Sequence, residues 1–364
     1  MGAGKSSVAI RVDASRQIGT GHVMRCLALA EVLSKEGWHA CFLSRHMPAT
    51  LRSLVQGAGH DSLALGSAPA NDHANELAHS HWLGTSQLAD AQDSIQALSG
   101  RSPDWVVVDH YALDARWESA LRRCGASIFV IDDIADRNHD CNALLDQNIV
   151  ASMNTRYDGK VPRGCTQLLG PRYALLRTEF ANLHESARPR GGPVERLLIL
   201  MGGADASNET EKAIRAVAGI EGPTFIVDVV VGAEHPAIER ITALCRAHGY
   251  HCHVQASNVA ELMASADLAI GGCGATSWER CCMGVPAICI ALANNQAAIA
   301  EGLAARGAIE YLGEAVKVSE AEVSRAVLDL IHDRARRVSM SEASFALVDG
   351  KGTQRVRDVI IGAS

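Results

Sequence analysis

The chain has 364 residues, 48% hydrophobic and 21% charged, with a formal net charge of −7. That length suits two globular domains rather than one core, and the acidic balance without a long basic run gives nucleic-acid binding little support. No run of about 18 apolar residues occurs, so no membrane span is expected, and the opening MGAGKSSVAI lacks the apolar core of a secretory signal.

Taken in order, SVAIRVDAS (7–15) reads as a first strand, RQIGTGH as a glycine turn and VMRCLALAEVLSKEG (23–37) as a helix that stops at Gly37. HACFLSR is a second strand. DWVVVDHY is a strand, WESALRRCG a helix, SIFVIDDI a strand, and NALLDQNI one more. SARPRGGP (186–193) looks like a linker. The pattern then restarts with the strand RLLILMGG, the helix NETEKAIRAVAGI, the strand TFIVDVVVG and the helix AIERITALCRAHG. CHVQAS, ELMASA, LAIGGCG, TSWERCCMGV and AICIAL complete the alternation. Strands alternating with helices imply parallel sheets with crossover helices. The expectation is therefore an α/β chain of two doubly wound, Rossmann-like domains, 1–185 and 190–364, facing a cleft, with ligands at the carboxyl ends of the strands.

Two signals mislead. GAGKSS (2–7) resembles the end of a phosphate-binding loop, but no strand precedes it and the earlier glycine of such a loop is missing. His73, His79 and His81 crowd into NDHANELAHSHW, yet no Cys or His pair follows at zinc spacing, so a polar helix face or loop is the better reading. The 11 Cys are odd in number and lie in apolar or helical text, as reduced thiols of a cytoplasmic protein do.

Six constellations carry candidate chemistry. Gly19-Thr20-Gly21-His22 lies between the first strand and its helix, where glycine permits a sharp turn and close ligand approach. His22 at that helix start faces the ligand edge of the sheet and suits a general base acting on water; a capping or packing role is the alternative. Asp109-His110-Tyr111 follows the apolar WVVV, so Tyr111 is placed to hydrogen-bond a sugar or a water, unless Asp109 only caps the next element. Asp132-Asp133 follows FVI; a structural role is favoured, because no further carboxylates complete a metal site. Met201-Gly202-Gly203-Ala204-Asp205 suits phosphate or close domain approach, with Ser207 or Asn208 capping the next helix. Gly271-Gly272-Cys273-Gly274-Ala275-Thr276-Ser277-Trp278-Glu279 takes a strand through a glycine loop into a helix. Loop amides and helix start suit a diphosphate, and Glu279 suits ribose hydroxyls or merely complements the helix dipole. Asn294-Asn295-Gln296 offers neutral amides to acetamido and hydroxyl groups, or a helix cap.

RVDASRQIGTGHVMRCLALA, VVVDHYALDARWE, IDDIADRNHDCNALLDQN, GPRYALLRTEF, MGGADASNET, GATSWERCCMGVP and the late NNQ occur in one order over about residues 8–300. In this the chain resembles the UDP-2,4-diacetamido-2,4,6-trideoxy-β-L-altropyranose hydrolases, the UDP-sugar hydrolases of pseudaminic acid synthesis. The resemblance implies a glycosyltransferase B-type fold, related to the enzyme that adds N-acetylglucosamine to the peptidoglycan lipid precursor. It implies hydrolysis without a metal or other cofactor, on a small-molecule UDP-sugar, by a chain for which a monomer is expected. It implies that His22 activates water, that Ser15, Gly21, Tyr111 and Asn295 line the sugar site, and that Gly203, Gly274, Ala275, Thr276 and Glu279 hold UDP. Residues 1–6 precede the usual start of the family, and 67–100 departs from its pattern, so contacts from that run are unassigned. A B-type glycosyltransferase using a UDP-sugar donor is the main rival, because fold alone does not separate transfer from hydrolysis.

Overall fold

The structure is a computed structural model that describes residues 6–15, 17–66, 77–203, 205–222 and 224–362. It divides into two compact units. The first comprises Met1–Asn148, Ser152–Arg177 and Gly352–Ser364; the second comprises Ile149–Ala151 and Thr178–Lys351.

In the first unit β1 (Ser7–Val12), β2 (His39–Ser44), β3 (Asp61–Ala64), β4 (Trp105–Asp109), β5 (Ser127–Ile131), β6 (Ala143–Asp146) and β7 (Thr166–Leu169) form one sheet, in the order β3-β2-β1-β4-β5-β6-β7. Every pairing is parallel. Helices α1 (Gly21–Lys35), α2 (Ala49–Gly57), α3 (Gln87–Ala97) and α4 (Ala115–Arg122) are the main connections. The strands alternate between two buried layers. Ile10, Val12, Val107 and Phe129 pack with α1 on one face, while Ala9, Val106, Val108 and Ile128 pack on the other with Trp117 of α4. Covering both faces is what a parallel sheet requires.

In the second unit β8 (Arg196–Leu200), β9 (Ile226–Val231), β10 (His251–Val254), β11 (Leu268–Gly272), β12 (Ala287–Ala291) and β13 (Ile309–Glu314) run β10-β9-β8-β11-β12-β13, again all parallel. Its helices are α5 (Thr178–Ser186), α6 (Glu209–Ala218), α7 (Ile238–His248), α8 (Val259–Ser265), α9 (Thr276–Cys282), α10 (Asn294–Ala304), α11 (Glu320–His332) and α12 (Arg334–Leu347). The last helix, α13 (Gly352–Gly362), returns to the first unit, where Val356 and Ile360 are fully buried in the same cluster as the Leu and Ala side chains of α1. Gly352 is needed at that entry, since a Cβ there would stand 2.3 Å from the Ala174 carbonyl oxygen.

Each sheet reverses its order once. In the first sheet the reversal falls between β1 and β4, in the second between β8 and β11. The crevice beyond the carboxyl ends of such a strand pair is where open parallel sheets bind ligands. Among the described residues no helix is long and apolar enough to cross a membrane.

Candidate functional site

At the reversal point of the first sheet, β1 ends at Val12 directly beside Asp109, the last residue of β4. The chain then loops into α1. Ser15 shapes the loop: its hydroxyl oxygen accepts from the amides of Gln17 and Ile18, both at 3.2 Å, and its carbonyl accepts from Gly19 at 2.8 Å. Gly19 has φ +79°, which is why glycine stands there. Gly21 is the first residue of α1 and His22 the second. His22 Nδ1 lies 2.5 Å from Asp109 Oδ1.

Asp109 is fully buried, and its second partner is Arg25, one turn along α1. Arg25 Nε and Nη2 donate to the two carboxylate oxygens at 2.7 Å each. The same guanidinium reaches Asp133, with Nη2 2.8 Å from Oδ2. Tyr111 donates its hydroxyl to Asp133 at 2.5 Å, and Asn148 donates its amide there at 2.7 Å. Burial alone would raise the Asp109 carboxyl, but the Arg25 guanidinium, with His22 behind it, holds it well below the usual carboxylate range. Asp133 is depressed in the same way, burial opposing and Arg25 prevailing. Burial, then the Asp133 charge, pushes the Tyr111 phenol well above its ordinary value, so it remains a donor.

The ionised Asp109 can only accept hydrogen bonds. At 2.5 Å, His22 Nδ1 therefore carries a proton, which in the neutral ring places the lone pair on Nε2. A carboxylate that fixes the imidazole tautomer and orients the ring is the arrangement a general base requires. Around Tyr111 stands an aromatic cluster. Trp82 stacks on its ring at 5.5 Å, His79 meets it edge-on at 5.4 Å, and His22 meets it edge-on at 4.9 Å. His73 lies outside the described residues, as do residues 2–5 of the GAGKSS segment.

Asp132 turns away from this network. Its carboxylate accepts from Arg137, from the Ala135 amide and from the Tyr157 hydroxyl, all within 2.9 Å. The two aspartates, adjacent in sequence, thus hold different direct partners, and Asn148, Asp146 and Tyr157 link them through a chain of hydrogen bonds. Behind Asp132 lies His139, wholly buried, with Nδ1 2.7 Å from Glu118 Oε1 and Nε2 3.7 Å from Asp132 Oδ2. Burial opposes its charge, but the two carboxylates outweigh burial and push the imidazole up to about 9 from 6.5. A raised imidazole contributes stability that is fully present below pH 6.5 and is lost as pH rises through 9. The contribution is on the order of 3 kcal/mol. The melting temperature should therefore fall between those pH values, and His139→Gln should flatten that fall. An unchanged slope in the variant would assign it to other groups.

The second sheet presents two loops at its own reversal point. Gly202 and Gly203 follow β8, and Cys273 to Ala275 follow β11. Gly271 and Gly272 are required by packing: a Cβ on either would stand 2.6 Å from a β8-side carbonyl, Leu200 or Met201 respectively, and on Gly271 also 2.6 Å from Arg280 Nη1. Arg280, buried beneath the loop, donates to the Gly272 carbonyl at 2.6 Å and to the hydroxyls of Ser277 and Thr276. Gln296 ties α10 to the loop, its Oε1 accepting from the amides of Cys273 (3.3 Å) and Leu292 (2.9 Å). Thr276 opens α9, and Glu279 lies on it half-buried, three residues on. Asn295 is exposed in the first turn of α10, whose N-cap is Ala293, so neither Asn294 nor Asn295 caps it. Ser207 and Asn208 do not cap α6 with their side chains either. Asp205 does so, accepting from the amides of Glu209 (2.9 Å) and Thr210 (2.8 Å). Ala204, within the same glycine segment, lies outside the described residues.

Sequence reasoning missed Arg25, the partnership of Asp109 with His22, Asn148 and the Trp82 platform. A signal for Arg25 existed. It stands three residues after His22, hence on the same helix face, inside the apolar run VMRCLALA, where arginine is rarely buried without a partner.

Residues 198–358 match the glycosyltransferase family 28 C-terminal domain. The crystal structure of MurG from Acinetobacter baumannii superposes with a TM-score of 0.63 at 18% identity, covering 98% of this chain and 99% of that one. The fold is the glycosyltransferase B type. The chain is also 24% identical to the UDP-2,4-diacetamido-2,4,6-trideoxy-β-L-altropyranose hydrolase of Campylobacter jejuni, over 84% of this chain and 98% of that protein. It is 22% identical to the spore coat polysaccharide biosynthesis protein SpsG of Bacillus subtilis, over 97% of each. An uncharacterized protein of Methanocaldococcus jannaschii matches at 22% identity, and there the alignment spans 77% of this chain but only 54% of the longer relative. B-type architecture and relationship to sugar-biosynthesis proteins agree with what the sequence motifs imply.

Proposed function

We propose that this chain hydrolyses a UDP-activated 2,4-diacetamido-2,4,6-trideoxy-altrose, releasing UDP and the free sugar as a step toward pseudaminic acid. The observation that carries the reading is the His22–Asp109 pair at the reversal point of the first sheet, a tautomer-fixed imidazole with no thiol or hydroxyl nucleophile bonded to it among the described residues. Similarity to the Campylobacter jejuni hydrolase along most of both chains supports the substrate class.

In this reading His22 Nε2 takes a proton from water, and the water oxygen attacks the anomeric carbon. The bond from that carbon to the diphosphate oxygen breaks, and UDP leaves with the electron pair, inverting the anomeric centre. Asp109 stabilises the imidazolium that forms. Ser15 and Gly21 shape the loop carrying the base, while Tyr111 and Asn295 are assigned to the sugar. Gly203, Gly274, Ala275, Thr276 and Glu279 are assigned to UDP, with loop amides facing the diphosphate and Glu279 the ribose. A diphosphate is a good leaving group, so one base suffices where ordinary glycoside hydrolysis divides the work between two carboxylates.

One observation favours transfer to an acceptor instead: the match of 198–358 to a glycosyltransferase domain. Incubation with the UDP-sugar in heavy-oxygen water separates the readings. Hydrolysis puts the label in the free sugar with an inverted anomeric centre. Label in UDP would mean attack at phosphorus and would remove His22 from this role. Absence of UDP release without an acceptor would leave transfer as the activity.

A further inference from the structure

The second unit carries a cluster of metal-ligating groups that the proposed reaction does not use. β10 is the edge strand of its sheet, and its residues His251 and His253 are two apart, so both side chains stand on one face. On the neighbouring strand Asp228 is in register with His251. His253 Nε2 lies 2.7 Å and His251 Nδ1 3.3 Å from the same carboxylate oxygen, Asp228 Oδ1. One ligand atom from each residue lies within 4.8 Å of the other two. We propose that Asp228, His251 and His253 form a binding site for a borderline divalent cation, Zn(II) in first place, that fastens β10 to β9.

The donor set is two imidazoles and one carboxylate, which suits zinc, copper or nickel rather than calcium or magnesium. Two imidazole nitrogens converge on one carboxylate oxygen, so a cation held among these three atoms replaces two N–H donations by three metal–ligand bonds. Asp228 is buried while His251 is 58% exposed, which leaves solvent access for a water as fourth ligand. The other carboxylate oxygen is already held: Arg196 Nη1 donates to Asp228 Oδ2 at 2.7 Å. A ligating carboxylate oriented by a hydrogen bond to its second oxygen is the usual outer arrangement of protein metal sites. The guanidinium charge weakens cation binding, so affinity in the micromolar range is expected rather than that of a closed structural site. Cys252 lies between the two histidines on the opposite face, packed against the core of the unit. An edge strand exposes unpaired backbone groups, and a metal clip fixing it to its neighbour has a clear structural use.

The test is calorimetric titration of the chelator-treated full chain with ZnCl₂, alongside His251→Ala, His253→Ala and the double variant. Both histidines lie at the exposed edge, and melting curves without metal establish that the variants fold. One equivalent of zinc per chain is expected, with affinity at least about tenfold weaker in each single variant. Co(II) should give the intense visible bands of tetrahedral coordination with the wild-type chain and lose them in the double variant. Absence of saturable binding, or equal binding by the double variant, would overturn the proposal. Neither result bears on the hydrolysis, which is measured separately.

Discussion

Replacing His22 by Ala is expected to lower kcat for UDP release by about 100- to 10,000-fold, the usual cost of losing a general base. The fold should survive. His22 occupies the second position of α1, where Ala is the best helix former, and its side chain is 11% exposed, so no sealed cavity is created. Asp109 keeps both hydrogen bonds from Arg25 and is not left as an unpaired buried charge. Asp109→Asn should approach the same kinetic loss by a different route. An Asn side chain can present its NH₂ to Nδ1, which favours the tautomer whose proton sits on Nε2 and so removes the lone pair that accepts from water. Steady-state kinetics with melting curves on both variants check this. Full turnover in a folded His22→Ala chain would remove the histidine from the mechanism.

The alternation of strands and helices was legible because parallel strands buried on both faces read as apolar runs such as WVVV and SIFVI. What escaped was short or half-exposed. β3 (DSLA), β7 (TQLL) and β13 (IEYLGE) carry too few buried positions to stand out. The return of α13 to α1 is a long-range pairing that no local period encodes. At the candidate site His22, Tyr111 and the glycine loops were visible, because glycine and polar residues at strand ends break the apolar pattern. The role of Asp109 was not. A lone aspartate after a strand reads equally well as a cap, and only the approach of α1 across β4 brings His22 and Arg25 to it. Gly271 and Gly272 teach the converse. They look like phosphate-loop glycines, yet the close approach of β8 and Arg280 already requires them.

Arg25→Met should destabilise the first unit by about 3–5 kcal/mol near neutral pH, the cost of removing one partner from a buried ionic network. Met fills much of the same volume, so the loss comes from charge rather than from a cavity. The guanidinium is 6% exposed and serves Asp109 and Asp133 together, and both carboxyls are depressed against burial chiefly because of it. The direction with pH follows. In the wild-type chain a depressed carboxyl contributes stability that is present above pH 3.8 and is lost as pH falls through the folded value. Without Arg25, burial governs and both folded values rise above 3.8, so stability at these groups decreases as pH increases toward neutrality. Denaturant unfolding at about pH 5 and pH 7.5 should therefore show the variant closer to wild type at the lower pH. Arg25→Lys should recover only part of the loss, because a single ammonium cannot span two carboxylates as the planar fork does. Wild-type stability of Arg25→Met at both pH values would mean that the network is replaceable by apolar packing, and that Asp109 holds its place before His22 without it.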